Sequence, residues 1–140
     1  MKLLTTTIRD QLIRNGRIRQ TLAEEGSAEA DFIPVVKLFT PDAGCTWLLS
    51  ELDPEDEDIA FGLCDLGMGC PELGSVRISE LESVRGRLGL PVERDLHFSP
   101  RHTLSVYARA AWNAATITED ERALAQAAEQ ARREKAALSH

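Results

Sequence analysis

The acidic residues of the segment 51–74 are the first side chains whose types and spacing suggest chemistry. Six carboxylates fall within residues 51–58, and two more follow in a glycine-containing run that ends at residue 74. Carboxylates at this density can bind a hard cation such as Mg²⁺, dock on a basic partner, or simply solvate a turn. The candidate binding residues are Glu51, Asp53, Glu55, Asp56, Glu57, Asp58, Asp65 and Glu72.

A metal site requires four of these carboxylates, Glu51, Asp53, Asp65 and Glu72, to converge from neighbouring strands. A metal-dependent enzyme acting on nucleic acid or another phosphoester would use such a cluster. The segment lacks the glycine and glutamate positions of an EF-hand loop. Residues 40–76 also contain no lysine that would stabilise the charge of a phosphate. The enzyme therefore stays an alternative, and we predict no catalytic residue, no metal ligand and no cofactor.

The net charge of the chain is −7, and residues 40–76 account for all of it. This segment contains nine Asp and Glu but no Lys or Arg, whereas the parts before and after it are nearly balanced. Such a segment repels a nucleic-acid backbone and attracts a basic surface, so we predict a protein partner with basic character. A further alternative is an anti-defence protein whose acidic segment mimics the charge of DNA. The sequence leaves the oligomeric state open.

His97 and its neighbours form a second charged cluster. Alternation along a strand would place Glu93, Asp95 and His97 on one face, as in a catalytic base and the carboxylate that orients it. No serine or cysteine can be assigned as a nucleophile, however. Arg94 is equally able to form an ion pair with the acidic segment. We therefore assign no catalytic role to this cluster.

The cysteines and the overall hydropathy indicate the compartment. Cys45, Cys64 and Cys70 match no zinc-binding spacing, which is typical of free thiols in a reducing cytosol. No apolar run approaches the ~18 residues of a membrane span. The first residues do not resemble a secretory signal either. We predict a cytoplasmic protein that does not contact a membrane.

The hydrophobic pattern predicts the elements that position these residues. A first helix begins near residues 5–7 and is expected to stop at Gly16, before a polar connector over 17–31. Four β-type runs follow, and they read IPVVKLF, CTWLLSEL, IAFGLCDL and ELGSVRI. The second and third runs are joined by DPEDED, which predicts a β-hairpin with an acidic loop at 55–58. Gly67 and Gly69 then predict a sharp turn.

Helices follow the strands. The spacing of Ser79 and Glu82 predicts a capped short helix over 80–85, and Thr118 with Glu121 predicts the cap of the last helix. Another helix is expected over 103–115. The predicted fold class is α+β, with a mainly antiparallel sheet of four to five strands, an N-terminal helix and C-terminal helices. Residues 1–116 form the predicted domain, and 117–140 form a C-terminal helical extension.

Two long stretches resemble a bacterial family catalogued as domain of unknown function 2958. They are PVVKLFTPDAGCTWLLSELDPEDEDIAFGLCDLGMGCPELG (34–74) and SELESVRGRLGLPVERDLHF (79–98). The resemblance implies a small cytosolic protein carried on plasmids and conjugative elements, with no activity and no catalytic residues to transfer. Taken with the charge pattern, it predicts a non-enzymatic protein-binding module of mobile genetic elements that uses its acidic hairpin surface.

Overall fold

The computed structural model describes residues 2–27 and 29–138, and it has helices on both faces of one sheet. The sheet has five strands in the order β4-β3-β2-β1-β5, and every pairing is antiparallel. The predicted α+β fold is therefore confirmed. The elements are α1 (Thr6–Glu24), β1 (Val36–Phe39), β2 (Thr46–Asp53), β3 (Asp56–Asp65), β4 (Glu72–Arg77), α2 (Ile78–Ser83), β5 (Glu93–Arg94), α3 (Leu104–Ala114) and α4 (Glu121–Leu138).

Alternating side chains of the strands belong to two hydrophobic clusters, one on each face of the sheet. In β2, Trp47 and Leu49 pack towards α1 and α2, while Leu48 packs towards α3 and α4. Leu63 of β3 lies opposite Leu48 and joins the same cluster. Because successive side chains of a strand point to opposite faces, one strand serves both clusters. We call the two sides of the sheet the α1 face and the α3 face.

Helix α1 does not stop at Gly16, so that prediction was wrong, as was the connector over residues 17–24. Gly16 is buried in the middle of the helix, where an added Cβ would lie 1.9 Å from the carbonyl oxygen of Leu52. The side chain of Asn15 donates to the carbonyl oxygen of Ser50 at 2.9 Å. The glycine thus permits close approach of α1 to β2. The predicted connector also includes Ala28, which lies outside the described residues.

The β2–β3 hairpin is confirmed, but its turn is shorter than predicted. Asp53 pairs with Asp56, which leaves Pro54 and Glu55 as the turn, and Asp56 to Asp58 belong to β3. The acidic loop at 55–58 was therefore wrong. The pairing of β2 with β3 shifts register between Leu52 and Asp53, so Asp56 is the acid of β3 that lies opposite β2 at the tip.

Both predicted capping boxes were also wrong. Helix α2 begins at Ile78 without a side-chain cap, and Ser79 bonds instead to Asp58. Asp120 caps α4, since its carboxylate accepts from the backbone N–H of Ala123 at 3.0 Å. The hydroxyl of Thr118 accepts from the backbone N–H of Asp120 at 3.1 Å. This bond lies before the first turn of α4, so Thr118 is not the cap of the helix. Asp and Asn are favoured at helix N-caps about as much as Ser and Thr are. Residue spacing alone therefore did not show which of Thr118 and Asp120 caps α4.

Helix α4 packs on the domain through a narrow contact. Leu124 and Ala127 are buried with residues of α3, while most of the helix is exposed. Its far side carries ion pairs of Glu129 with Arg132 and Arg133. The division into a domain over 1–116 and an extension over 117–140 stays a prediction. No helix in the described ranges combines the length and apolar character needed to cross a bilayer.

Candidate functional site

The acidic tip, defined as residues 51–58, is the end of the β2–β3 hairpin. Its turn is tight because the carboxylate of Asp53 accepts from the backbone N–H of Glu55 at 2.9 Å. The carboxylate of Asp56 similarly accepts from the N–H of Asp58 at 3.2 Å. Two carboxylates are thus used to order the backbone of the tip itself.

Glu51 fastens the tip to helix α1. Only 3% of its side chain is exposed, and its carboxylate accepts a hydrogen bond from the guanidinium of Arg19, which is half-exposed. Burial raises the pKa of Glu51, and the hydrogen bond and charge of Arg19 oppose that rise without cancelling it. Glu51 is therefore a structural group, inaccessible to a partner.

Asp58 fastens the tip to helix α2. Its carboxylate accepts from the backbone N–H of Ser79 at 2.9 Å and from the hydroxyl of Ser79 at 2.6 Å. Arg77 lies 3.6 Å from Asp58 and 3.3 Å from Asp56. The hydrogen bonds from Ser79, more than the charge of Arg77, hold the pKa of Asp58 below its ordinary value. Both aspartates remain partly exposed.

Glu55 and Glu57 are the tip carboxylates that point into solvent. Gln20 donates to Glu55 at 3.3 Å, and Arg9 donates at 3.2 Å to the backbone carbonyl of Glu57 rather than to its side chain. Arg14 and Arg17, both exposed, line a shallow depression together with Asp10 and Glu57. The ordered backbone thus presents two exposed carboxylates without an ion-pair partner in the described residues, flanked by the partly exposed Asp56 and Asp58.

Asp65 lies at the other end of β3, where its side chain contacts the segment after α3. It is buried, and its carboxylate accepts from the hydroxyl of Thr116 at 3.0 Å and the N–H of Ile117 at 2.9 Å. It also accepts from the N–H of Gly67 at 2.9 Å. This side chain joins the β3–β4 connection to the end of α3. Gly67 and Gly69 have positive φ, which confirms the predicted turn.

The structure does not bring together the four carboxylates of the metal hypothesis. Glu51 is opposite Phe61 and contacts α1, whereas Asp65 is opposite Thr46 and contacts the segment after α3. Glu72 pairs with Cys64, eight residues along β3 from Asp56, which corresponds to ~27 Å of strand. Among residues 2–27 and 29–138, no group of three or more His, Cys, Asp or Glu is placed to hold a metal ion. The convergence that the metal alternative requires is therefore absent among these residues.

The cluster around His97 is not an acid–base pair. Asp95 accepts from the backbone N–H of His97 at 2.8 Å, not from its ring, and this bond lowers the pKa of Asp95. Lys37 lies 3.3 Å from Asp95 and 2.6 Å from Glu119. Arg94 donates to the backbone carbonyl of Leu3, so the alternative in which it pairs with the acidic segment does not hold either.

Sequence reasoning missed the basic residues that neutralise the tip. Arg19 lies beyond the predicted end of the first helix at Gly16, although α1 continues to Glu24. The sequence predicts Arg77 as part of a strand, without any sign that it pairs with the tip. Trp112 of α3 is 54% exposed, and its indole N–H donates to the carbonyl of Pro71 at 2.9 Å.

Comparison with known proteins identifies the family. The family model described as "Protein of unknown function (DUF2958)" matches residues 3–118, so the chain belongs to this family. The matched region contains the whole sheet and α1 to α3, and it ends before α4. No curated protein and no solved structure is significantly similar to the chain.

Proposed function

We propose that this DUF2958 member is a non-enzymatic binding module whose acidic tip docks on a basic surface of a protein partner. The observation that carries the proposal is the rigid display of Glu55 and Glu57. Both side chains are exposed, while the backbone beneath them is held by Asp53, Glu51 and Asp58. A site that is ordered before binding loses little entropy when the partner arrives.

The charge of the tip sets the chemistry of the partner. Arg19 and Arg77 neutralise part of the charge of Glu51, Asp56 and Asp58, so the free charge is concentrated at Glu55 and Glu57. A small charged patch of this kind steers a basic partner and fixes its register. The proposed contact residues are thus Glu55 and Glu57, together with the partly exposed Asp53, Asp56 and Asp58.

A cytoplasmic location and service to a mobile genetic element belong to the same proposal. All three cysteines, which lie in the described part of the chain, are free thiols, as expected in a reducing compartment. A partner from the host cell or from the element itself would fit equally well. The DNA-mimic alternative is less well supported, because a mimic requires a continuous track of unpaired acids and the tip interleaves its acids with Arg19 and Arg77.

The proposal is tested by affinity capture from a host lysate with two matched double variants. Glu55→Gln/Glu57→Gln removes the free charge of the tip. Glu72→Gln/Glu93→Gln removes the same charge from exposed residues near the other end of the sheet. Asp53, Asp56 and Asp58 are left intact because they order the tip.

The expected result is a protein that wild type and the Glu72/Glu93 variant recover and the Glu55/Glu57 variant loses. Calorimetry with that purified partner should show an affinity that falls as salt is raised. Equal recovery by both variants would reject the acidic tip as the contact. Binding of Mg²⁺ or Mn²⁺ below millimolar concentration would instead reopen the enzyme alternative.

A further inference from the structure

The outer edge of β4 is the longest unpaired strand edge of the sheet. Strand β4 is terminal on one side of the sheet and β5 on the other. β5 has two residues, both charged, whereas β4 has six, of which residues 73–76 are uncharged and none is proline. Natural edges are usually short, charged or interrupted by proline, because free N–H and C=O groups bind another strand. Residues 73–76 of β4 lack such protection.

The backbone direction of β4 follows from that of β3. The hydroxyl of Ser50, on β2, donates to the carbonyl oxygen of Phe61 at 3.3 Å, so Phe61 presents its carbonyl towards β2. Backbone groups alternate in direction along a strand, so the residues on either side of Phe61 direct theirs to β4. Their partners in β4 are Val76 and Gly74. The backbone groups of Leu73 and Ser75 therefore point outward, together with the N–H of Arg77.

The two ends of this open edge are closed by other elements. The carbonyl of Pro71, two residues before Leu73 and pointing the same way, accepts from the indole of Trp112. At the other end Ile78 begins helix α2. In the described chain, no backbone group of Leu73 or Ser75 bonds to anything beyond β3. The free length is therefore residues 73–77.

Exposed apolar side chains lie beside this edge on one face. Leu73 pairs with Leu63, which belongs to the cluster under α3, so Leu73 is on the α3 face. It is 40% exposed. Trp112 of α3, bonded to Pro71, is exposed on the same face. A strand added to β4 would cover both side chains.

We propose that this edge binds β4 of a second copy of the chain, antiparallel, with Ser75 opposite Ser75 of the second copy. Outward-pointing residues must face one another for the ladder bonds to form, so Leu73 then lies opposite Arg77 of the second copy. The sheets of the two copies join into one continuous sheet. The proposal does not involve Glu55 or Glu57 and does not depend on the proposed function.

The chemistry of β4 favours its own copy as occupant. A two-fold axis through Ser75, perpendicular to the sheet, puts both α3 faces on the same side, so Leu73 and Trp112 of both copies lie on one side of the joined sheet. The aliphatic part of Arg77 covers Leu73 of the second copy, while its guanidinium keeps its ion pairs with Asp56 and Asp58. No like charges face each other across the ladder. The acidic tips lie at opposite ends, because Arg77 marks the tip end of β4.

Sedimentation velocity over a wide concentration range tests the pairing. Wild type should form a dimer, and Ser75→Lys should weaken that dimer on the order of tenfold because two ammonium groups would stand opposite each other. Thr21→Lys adds the same charge at an exposed site on α1 and should leave the dimer intact. A monomer at all concentrations would overturn the proposal and favour an extended peptide as occupant. Equal dimers of both variants would also overturn it.

Cysteine cross-linking tests the register. In a Cys70→Ser background, Ser75→Cys should give an intermolecular disulfide with a mild thiol oxidant, since opposite residues have Cβ atoms about 5 Å apart. Gly74→Cys lies diagonally to its own copy in this register and should cross-link several-fold more slowly. Faster cross-linking of Gly74→Cys than of Ser75→Cys would contradict the proposed register. Circular dichroism confirms that each variant is folded.

Discussion

The two ends of strand β3 carry acids of opposite character. At one end is the acidic tip, where Arg19 and Arg77 form ion pairs with some of the carboxylates and the outermost groups face solvent. At the other end is the glycine loop, residues 66–71, where the buried Asp65 accepts from uncharged donors. The outermost carboxylates of the acidic tip are exposed, whereas the carboxylate of Asp65, beside the glycine loop, is buried.

This difference teaches how acids in one stretch of sequence divide between roles. Asp65 and Glu51 are both nearly inaccessible, yet within residues 2–27 and 29–138 Glu51 has a cation beside it and Asp65 has none. A carboxylate with several good hydrogen bonds can be buried without a counter-charge. The exposed carboxylates, Glu55 and Glu57, are those whose side chains the fold itself uses least. A partner is therefore expected to bind the carboxylates that make the fewest contacts within the fold, Glu55 and Glu57.

The largest expected effect is at the glycine-loop end. Asp65→Ala removes the acceptor of three hydrogen bonds and leaves the N–H of Ile117 without its partner. We expect a loss of about 4 kcal/mol in the free energy of unfolding, measured by urea denaturation. Asp65→Asn keeps one acceptor oxygen and should lose about half as much. A loss below ~1 kcal/mol for Asp65→Ala would mean that Asp65 does not hold the loop.

A smaller effect is expected where α1 approaches the tip. In Gly16→Ala the new Cβ would overlap the carbonyl of Leu52, so α1 must shift away from β2. We expect a loss of about 3 kcal/mol. Gly74→Ala, where the space around the Cβ is open, is the matched control and should be nearly neutral. Similar stabilities for the two variants would show that α1 does not need this close approach.

The pH dependence of Glu51→Gln sharpens the comparison further. Because burial raises the pKa of Glu51, the folded state takes up a proton more readily than the unfolded state. The contribution of Glu51 to stability is therefore fully present below its ordinary pKa and is lost as pH rises through the raised pKa. Wild type should gain stability relative to Glu51→Gln on acidification. Urea denaturation of both proteins from neutral pH to about pH 3 measures this. A relative loss would mean that Arg19 dominates.

Asp58→Asn should show the opposite sign. Hydrogen bonds from Ser79 lower the pKa of Asp58, so its stabilising contribution is present above its ordinary pKa and is lost as pH falls through the lowered value. The variant should be modestly less stable than wild type at neutral pH, and the gap should close in acid. The same urea series measures it. A gap that is constant with pH would show that the charge of Asp58 is not involved.

The smallest effect on stability is expected at the outermost acids. Glu55→Gln/Glu57→Gln should change the free energy of unfolding by less than about 0.5 kcal/mol, because neither carboxylate has an ion-pair partner in the described residues. Thermal denaturation followed by circular dichroism is sufficient. A larger loss would assign these acids to the fold, and their availability to a partner would then be in doubt.

Much of the fold was predictable because local patterns and tertiary structure agree. Alternation and turn residues located β1 to β4, and the pairing of β2 with β3 followed from a short link. Gly16 was misread because a glycine that ends a helix and one that permits close packing look alike in sequence. The burial of Asp65 depends on Ile117, more than fifty residues away. A contact between residues so far apart in sequence leaves no local pattern. The density of acidic residues alone therefore predicted more accessible binding residues than the structure has.

Amide hydrogen exchange of the complex with the captured partner tests the central claim most directly, because it reads both ends of β3 in one experiment. The acidic tip is predicted to gain protection at residues 53–58 when the partner binds, while the glycine loop at 66–71 stays unchanged. Protection confined to the glycine loop, with the tip exchanging as in the free protein, would contradict the assignment of the tip as the binding surface.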